Sequence, residues 1–387
     1  MSEQLLFRDR RGTNAMKWNR FDQFSSKGGD LLGLWVADMD FAAPECVRQA
    51  IVRAGEFGVF GYDAVPAAYN EAFIHWEKTY HDYEVKPEWI RFAPGVVTGF
   101  FWFIRLMTQP GDAVMILTPV YYPFMSAVQE QGRRLVKCEL VNNGGLYTVD
   151  LNAFEDTIRR ENVKCLLFCS PHNPVARVWT REELTAMLTI CRRYGVKVIS
   201  DEIHQDFEHP GHKHIPAASL GDYDDMLVTL TAPSKTFNLA GLKNSIAIIP
   251  DETLRKRYDE LLEEIHIHGG NSIGFIAAAA AYSGGRPWLE QVLAAVEEND
   301  AVIRRRLAEE LPEAIVSPLE GTYLQWVDLG AYVTPENIKS SMEELCGLAL
   351  DYGTQFGGDA PCHIRINLGT SREIIEAAAE RLLRLKR

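Results

Sequence analysis

Several features that would settle a chain's class early are missing here. No run approaches the roughly eighteen apolar residues that a membrane-spanning helix needs. The alanine run Ala277 to Ala281 is short and flanked by glycine and polar residues. Met1-Ser2-Glu3-Gln4 is not followed by a basic stretch and an apolar one, so no secretory leader is expected. The seven cysteines contain no C-x-x-C pair, which removes the commonest redox and zinc spacings and leaves buried thiols suited to a reducing compartment. Cys165 and Cys169 stand four apart in an apolar run, a spacing that turns both to one side. Positive charge is in deficit. The 40 Lys and Arg residues against 53 Asp and Glu leave a net charge of −13, which argues against nucleic acid or an anionic membrane as partner. There is no internal repeat and no low-complexity linker. The expectation is a soluble cytoplasmic protein.

What is present is a large apolar fraction. The 387 residues are 47% hydrophobic, enough for a sizeable core and for two domains. Residues 1–45 read as an irregular segment. Short β-rich runs then alternate with helical patterns. Strands are predicted over 113–117, 134–141, 163–169, 196–200, 226–231 and 245–249, with a helix over 122–132. Thr180-Arg-Glu-Glu183 is a capping box opening a helix toward Gly195. Nearly continuous apolar strands between helices imply an α/β fold with a mostly parallel sheet covered on both faces. Longer helices are predicted from Asp251 to about His268 and from Pro287 to Leu311. After Pro312 come a strand over 323–329, a helix opening at Thr334-Pro335, a strand over 364–368 and a last helix carrying Ile374, Ile375, Ala378, Leu382 and Leu385. The tail reads as a smaller α+β domain. The expected division is a large domain over 46–285 and a small one over 286–387, with 1–45 packing on the latter.

The chemistry concentrates at strand ends. Ser234-Lys235 follows the strand over 226–231 in a turn-rich loop; alone, it could be a solvated cation. Asp201 ends the run Val196 to Ser200, at the strand mouth where α/β ligands bind, although an aspartate there also suits a helix N-cap. Asn173 lies in Ser170-Pro-His-Asn-Pro174, which also suits a plain turn. Tyr121 follows the strand over 113–117 and can stack on a flat ring or simply pack. Pro94-Gly-Val-Val-Thr-Gly99 can open a helix whose free N–H groups face a phosphate. An ionised acid, an amide, an aromatic face and a lysine at one sheet mouth suit pyridoxal 5′-phosphate (PLP), whose ring needs an acid against its nitrogen. Four histidines, His204, His209, His212 and His214, show no metal-ligand spacing, so no metal is expected. Arg304 to Arg306 reads as a solvated face. Phe100 to Phe103 reads as helix packing, with at most one member facing the site.

These residues, with Trp35-Val-Ala-Asp-Met-Asp-Phe41, Gly61-Tyr62, Asp201-Glu-Ile-His204, Ser234 to Leu242, Glu320-Gly-Thr-Tyr323 and Gly353 to Gly357, resemble fold-type-I PLP enzymes. Within these they resemble the MalY/PatB-type cystathionine β-lyases, or C–S lyases. The resemblance implies roles. Lys235 would carry the cofactor covalently, Asp201 would pair with the ring nitrogen and Asn173 would reach the phenolate oxygen, with His204 close to it. Tyr121 would stack on the ring. Gly95, Val96, Val97, Ser234 and Lys243 would surround the phosphate. Tyr62 would reach the phosphate of a neighbouring subunit, which implies a homodimer. Arg365 would clamp the substrate carboxylate, and backbone near Ala37 would help close the site. The implied activity is α,β-elimination on L-cystathionine or related S-substituted cysteines, giving a thiol, pyruvate and ammonia. The alternatives are an aminotransferase, which shares the same residues, and a PLP-containing regulatory protein that acts by binding a partner. Three stretches depart from the family pattern: Ala176 in place of the usual glycine, Asn14 to Asn19, and Asp359 to Cys362. The last two bear on substrate preference.

Overall fold

The structure is a computed structural model that describes residues 4–24, 31–267 and 269–386. Met1 to Glu3 and His268, the predicted end of one helix, lie outside the described residues. A seven-stranded sheet runs in the order Ile90–Ala93, Ser245–Ile248, Leu227–Thr231, Lys197–Asp201, Val163–Cys169, Ala113–Thr118, Arg134–Glu139. Pairing is parallel from Leu227–Thr231 through to Arg134–Glu139. Ser245–Ile248 is antiparallel to both its neighbours, so the sheet is mostly parallel.

The inner strands are largely apolar because both faces are covered, whereas the edge strand Arg134–Glu139 alternates exposed and buried residues. Met115 and Leu117 pack on one side with Phe154 and Ile158 of helix Leu151–Glu161 and Leu184 and Leu188 of helix Arg181–Arg193. Val114 and Ile116 turn to the other side, toward Phe100 and Phe103 of helix Val96–Met107 and Tyr258 of helix Glu252–Glu264. Cys165 and Cys169 share that second side, as their even spacing predicts. The capping box forms: Glu183 N–H donates to Thr180 Oγ1 at 3.2 Å, and Thr180 N–H donates to Glu183 Oε2 at 2.9 Å. Phe100 and Phe103 are fully buried.

A second, antiparallel sheet holds Ile315–Val316, Leu324–Asp328, His363–Asn367 and Asp351–Tyr352. Helices Arg286–Glu310 and Arg372–Leu382 share its core. The N-terminal segment is tied to this part of the molecule. Leu32–Gly33 pairs with Leu348–Ala349, and Asn367 Nδ2 donates to Val36 O at 2.5 Å and Asp38 O at 2.6 Å.

The prediction and the structure differ in places. The helix placed at Thr334-Pro335 begins only at Ile338 and passes at Ser341 into a π turn ending at Cys346. Asn337 Oδ1 accepts the Thr334 N–H at 2.8 Å, which holds the proline in a turn ahead of the helix. Glu45–Phe57, Ala67–His81 and Ser272–Gly284 are long helices that the sequence reading does not contain. The last contains the alanine run. It packs against the other two, with Ala277, Ala278 and Ala281 buried, and its small side chains leave little amphipathic contrast to read. Among the described residues no helix is long and apolar enough to cross a membrane.

Candidate active site

Four parallel strands deliver their next residues to one cavity of about 240 Å³. Tyr121 follows Ala113–Thr118, Asn173 follows Val163–Cys169, Asp201 ends Lys197–Asp201, and Lys235 sits in the single turn Pro233–Thr236 after Leu227–Thr231. All four line the cavity, with His204 and Ala37. Convergence follows from topology, because parallel strands end at the same edge of the sheet.

One end of the cavity is built for an anion. Gly95 N-caps helix Val96–Met107, which has no side-chain cap and no acidic residue in its first turn, so the leading N–H groups stay available. Val96, Val97, Ser234 and Lys243 line the same cavity. Lys243 itself adopts a left-handed φ of 52°.

The other end holds a buried acid and a buried amine. Asp201 Oδ1 accepts the Ile203 N–H at 3.2 Å. Burial pushes its carboxyl up to about 7, against the pull of that N–H and of Lys235. Among the described residues no cation lies within ion-pair distance of Asp201. Lys235 Nζ donates to Ala37 O at 2.6 Å, and Tyr323 Oη donates to the same carbonyl at 2.8 Å. Burial draws the Lys235 amine down to about 8; Asp38 and Asp201 raise it and Arg365 lowers it. His204 is held well below its usual range by burial and by the charges of Lys235 and Arg365, so its ring is neutral, and its Nδ1 is buried without a hydrogen-bond partner.

Asn173 links the cavity to the second sheet. Its Oδ1 accepts Arg365 Nη1 at 2.8 Å, which leaves Nδ2 as the donor toward the cavity. Arg365 Nη2 donates to Trp35 O at 3.1 Å and pairs with Asp351, and the guanidinium lies 4.9 Å from the centre of the Phe356 ring. Arg365 is not among the residues that line the cavity, but it bonds directly to Asn173, which is. The structure does not bring Tyr62 to this cavity. Tyr62 is fully exposed, beside exposed Phe57, Val59 and Phe60.

Several lining residues carry no sequence signal. Asn244 keeps a buried Nδ2 without a partner while its Oδ1 accepts Tyr69 Oη at 2.9 Å. Ser245 lines the cavity too, as do Thr98 and Cys169 from the segments 94–99 and 163–169 that the sequence does mark. The Asp351 carboxylate against Arg365 was equally illegible, because the pair is made by antiparallel register between strands. The histidines separate: His209 Nε2 meets Thr322 O at 2.7 Å, and His214 Nε2 meets Glu202 Oε2 at 3.1 Å.

The arrangement fits PLP. A protonated ring nitrogen would be the cation that the buried Asp201 carboxyl lacks, an amine drawn down toward neutrality stands in the same cavity, and the uncapped helix start at Gly95 could take the phosphate.

Residues 29–382 match the family described as aminotransferase class I and II. The chain is 36% identical over 376 residues to cystathionine beta-lyase PatB of Bacillus subtilis (strain 168), covering 97% of each. Its fold matches a PLP-bound protein from Clostridium difficile 630 at a TM-score of 0.95, with 36% identity over 99% of each chain. It matches the PLP-bound C–S lyase of Staphylococcus hominis at 0.92, with 33% identity over 98% of this chain and 97% of that one.

Proposed function

We infer the activity from the premise that the chain belongs to the aminotransferase class I and II family: it is a PLP-dependent C–S β-lyase. It acts on L-cystathionine or a related S-substituted L-cysteine by α,β-elimination. The Cβ–S bond breaks with its electron pair leaving on sulfur, which is protonated to the thiol. Water then takes the place of the nitrogen, giving pyruvate and ammonia. The observation that carries the cofactor reading is the single cavity holding Lys235, Asp201, Asn173 and the helix start at Val96. The choice of elimination rests on the likeness to PatB and to the S. hominis C–S lyase.

PLP supplies, when bound, an electron sink for the reacting Cα. The chain does the rest. Lys235 Nζ would anchor the cofactor, and the same amine, which burial draws down to about 8 in the empty chain, would take the proton from Cα as general base. Asp201 would hold a proton on the ring nitrogen, Asn173 Nδ2 would donate to the phenolate oxygen with the neutral His204 close by, and Tyr121 would stack on the ring. Gly95, Val96, Val97, Ser234 and Lys243, which line the cavity, would hold the phosphate, Lys243 as a point charge. Arg365, preset by Asn173, Trp35 and Phe356, takes the substrate carboxylate. The backbone at Ala37, whose carbonyl accepts from Lys235 and Tyr323, would help close the substrate side of the site.

The same reading divides the chain into a large domain over 46–285 and a small one over 286–387 carrying 1–45, supported by the pairing of Leu32–Gly33 with Leu348–Ala349. The exposed Phe57, Val59, Phe60 and Tyr62 favour a homodimer in which Tyr62 completes the neighbouring phosphate site. Buried thiols such as Cys138, Cys165, Cys169 and Cys191 suit the cytoplasm. Purified protein carrying PLP, given L-cystathionine without any keto acid, releases pyruvate and free thiol in equal amounts. Amino transfer that requires a keto acid, without pyruvate release, would overturn the lyase assignment. Sedimentation of wild type and Phe60→Asp tests the dimer.

A further inference from the structure

Behind the cavity lies a second buried polar cluster that the reaction does not use. Its centre is Asp206. One carboxylate oxygen accepts Trp76 Nε1 and His81 Nε2, both at 2.8 Å, and the other accepts Thr236 Oγ1 at 2.6 Å. All four side chains are buried. Trp76 and His81 come from helix Ala67–His81, the last of its residues included. Asp206 closes the loop that starts at Asp201 and carries His204, and Thr236 is the residue after Lys235. Three elements therefore meet on one carboxylate, and two of them carry the groups that face the cavity.

Stability alone does not account for this arrangement. A buried ion pair is often no better for stability than apolar side chains of the same volume, whereas a directional pair fixes register. Here the charge is compensated. Burial opposes ionisation of His81, but the Asp206 hydrogen bond and the charges of Glu77, Asp206 and Glu208 raise it to about 9. Burial opposes ionisation of Asp206 too, and His81, Thr236 and Trp76 outweigh it and hold the carboxyl low. The remaining titratable groups facing the pair are Glu77, bound to Gln205 at 2.5 Å, Glu202 and His214, paired with each other, and the Tyr282 hydroxyl. Thr236 spends its hydroxyl on this carboxylate rather than on the backbone of its own turn.

We propose that Asp206 is a positioning residue for Lys235: fixed by His81 and Trp76, it holds the Thr236 hydroxyl and so sets the turn from which Lys235 projects, in register with Asp201 and His204. The proposal rests on the reading that Lys235 carries PLP.

The test uses the PLP-loaded protein and two variants. Thr236→Val keeps the shape and removes the hydroxyl, and Thr236→Ser keeps the hydroxyl. Three quantities are read: the rate at which PLP leaves the protein, the pH at which the visible band of the lysine–cofactor linkage titrates, and the thermal midpoint. Thr236→Val should release PLP about tenfold faster, the scale of one hydrogen bond to a charged group, with a displaced spectral titration. Thr236→Ser should behave as wild type in both. A Thr236→Val protein with wild-type release and titration, whatever its thermal midpoint, overturns the proposal, as does a Thr236→Ser protein damaged as much as the valine variant. A wild-type protein with no visible band overturns the cofactor reading and this proposal together, so the two failures are told apart.

Discussion

Asp201→Asn in the cofactor-free chain tests the electrostatics of the site most directly. The Asp201 carboxyl is fully buried, and burial moves it from 3.8 to about 7. An acid held higher in the fold than in the unfolded chain binds its proton more tightly when folded. Its contribution to stability is therefore fully present below about pH 4 and is lost as pH rises to about 7. At about 1.4 kcal/mol per pH unit, the loss at neutral pH and above is about 4 kcal/mol. Asparagine fits the same space and cannot ionise. Urea unfolding of wild type and variant, both without cofactor, should favour the variant by about 2 kcal/mol at about pH 5 and by about 4 kcal/mol at about pH 8. A stability difference that is the same at both pH values, or larger at the lower one, would refute the reasoning. In the loaded protein the same substitution should act the other way. The ring nitrogen then loses its counter-charge, and PLP retention and turnover should both fall. A group that destabilises the empty fold and is needed once the cofactor binds is the expected mark of a functional site.

Three further outcomes are expected. Arg365→Lys loses the paired donors that meet Asn173 and Trp35; kcat/KM on L-cystathionine should fall about 100-fold or more, the scale of one or two charge-assisted hydrogen bonds, while the bound-cofactor absorbance stays, and a change in kcat/KM under threefold would count against the clamp. In the cofactor-free chain the Lys235 amine, drawn down to about 8, should react with an acylating reagent at a rate that climbs through about pH 8 and levels above it. A rate still climbing near about pH 10, where ordinary lysines titrate, would contradict its burial. Thr180→Ala removes one half of the capping box and should lower stability by about 1 kcal/mol in urea, with kcat/KM unchanged.

Much of the site was legible because strand ends are legible. The apolar runs ending at Cys169, Asp201 and Thr231 mark their own boundaries, and in a parallel sheet those boundaries share one edge. Tyr121, Asn173, Asp201 and Lys235 could thus be grouped without coordinates. Cys165 and Cys169 could be assigned to one face by counting, since side chains alternate along a strand. Helix Ser272–Gly284 was hidden because it is apolar nearly all round and lies between two other helices, so it has no polar face to mark its period. The start of the helix near Thr334-Pro335 was misplaced because the Asn337 side chain competes for the backbone group that a first turn would leave free.

The chain by itself determined the local elements, the capping box at Thr180 and the order of cofactor-type residues along the strand ends, because backbone periodicity and cap chemistry are short-range. Tertiary structure alone decided the rest. It joined Asn173 to Arg365 across 192 residues, set Asp351 on the same guanidinium, turned Ser245–Ile248 antiparallel and gathered Trp76, His81 and Thr236 on Asp206. It also set the protonation of the site, raising Asp201 and lowering Lys235 and His204. Burial and long-range partners cause those shifts, and both depend on which distant surfaces meet, which no local pattern records.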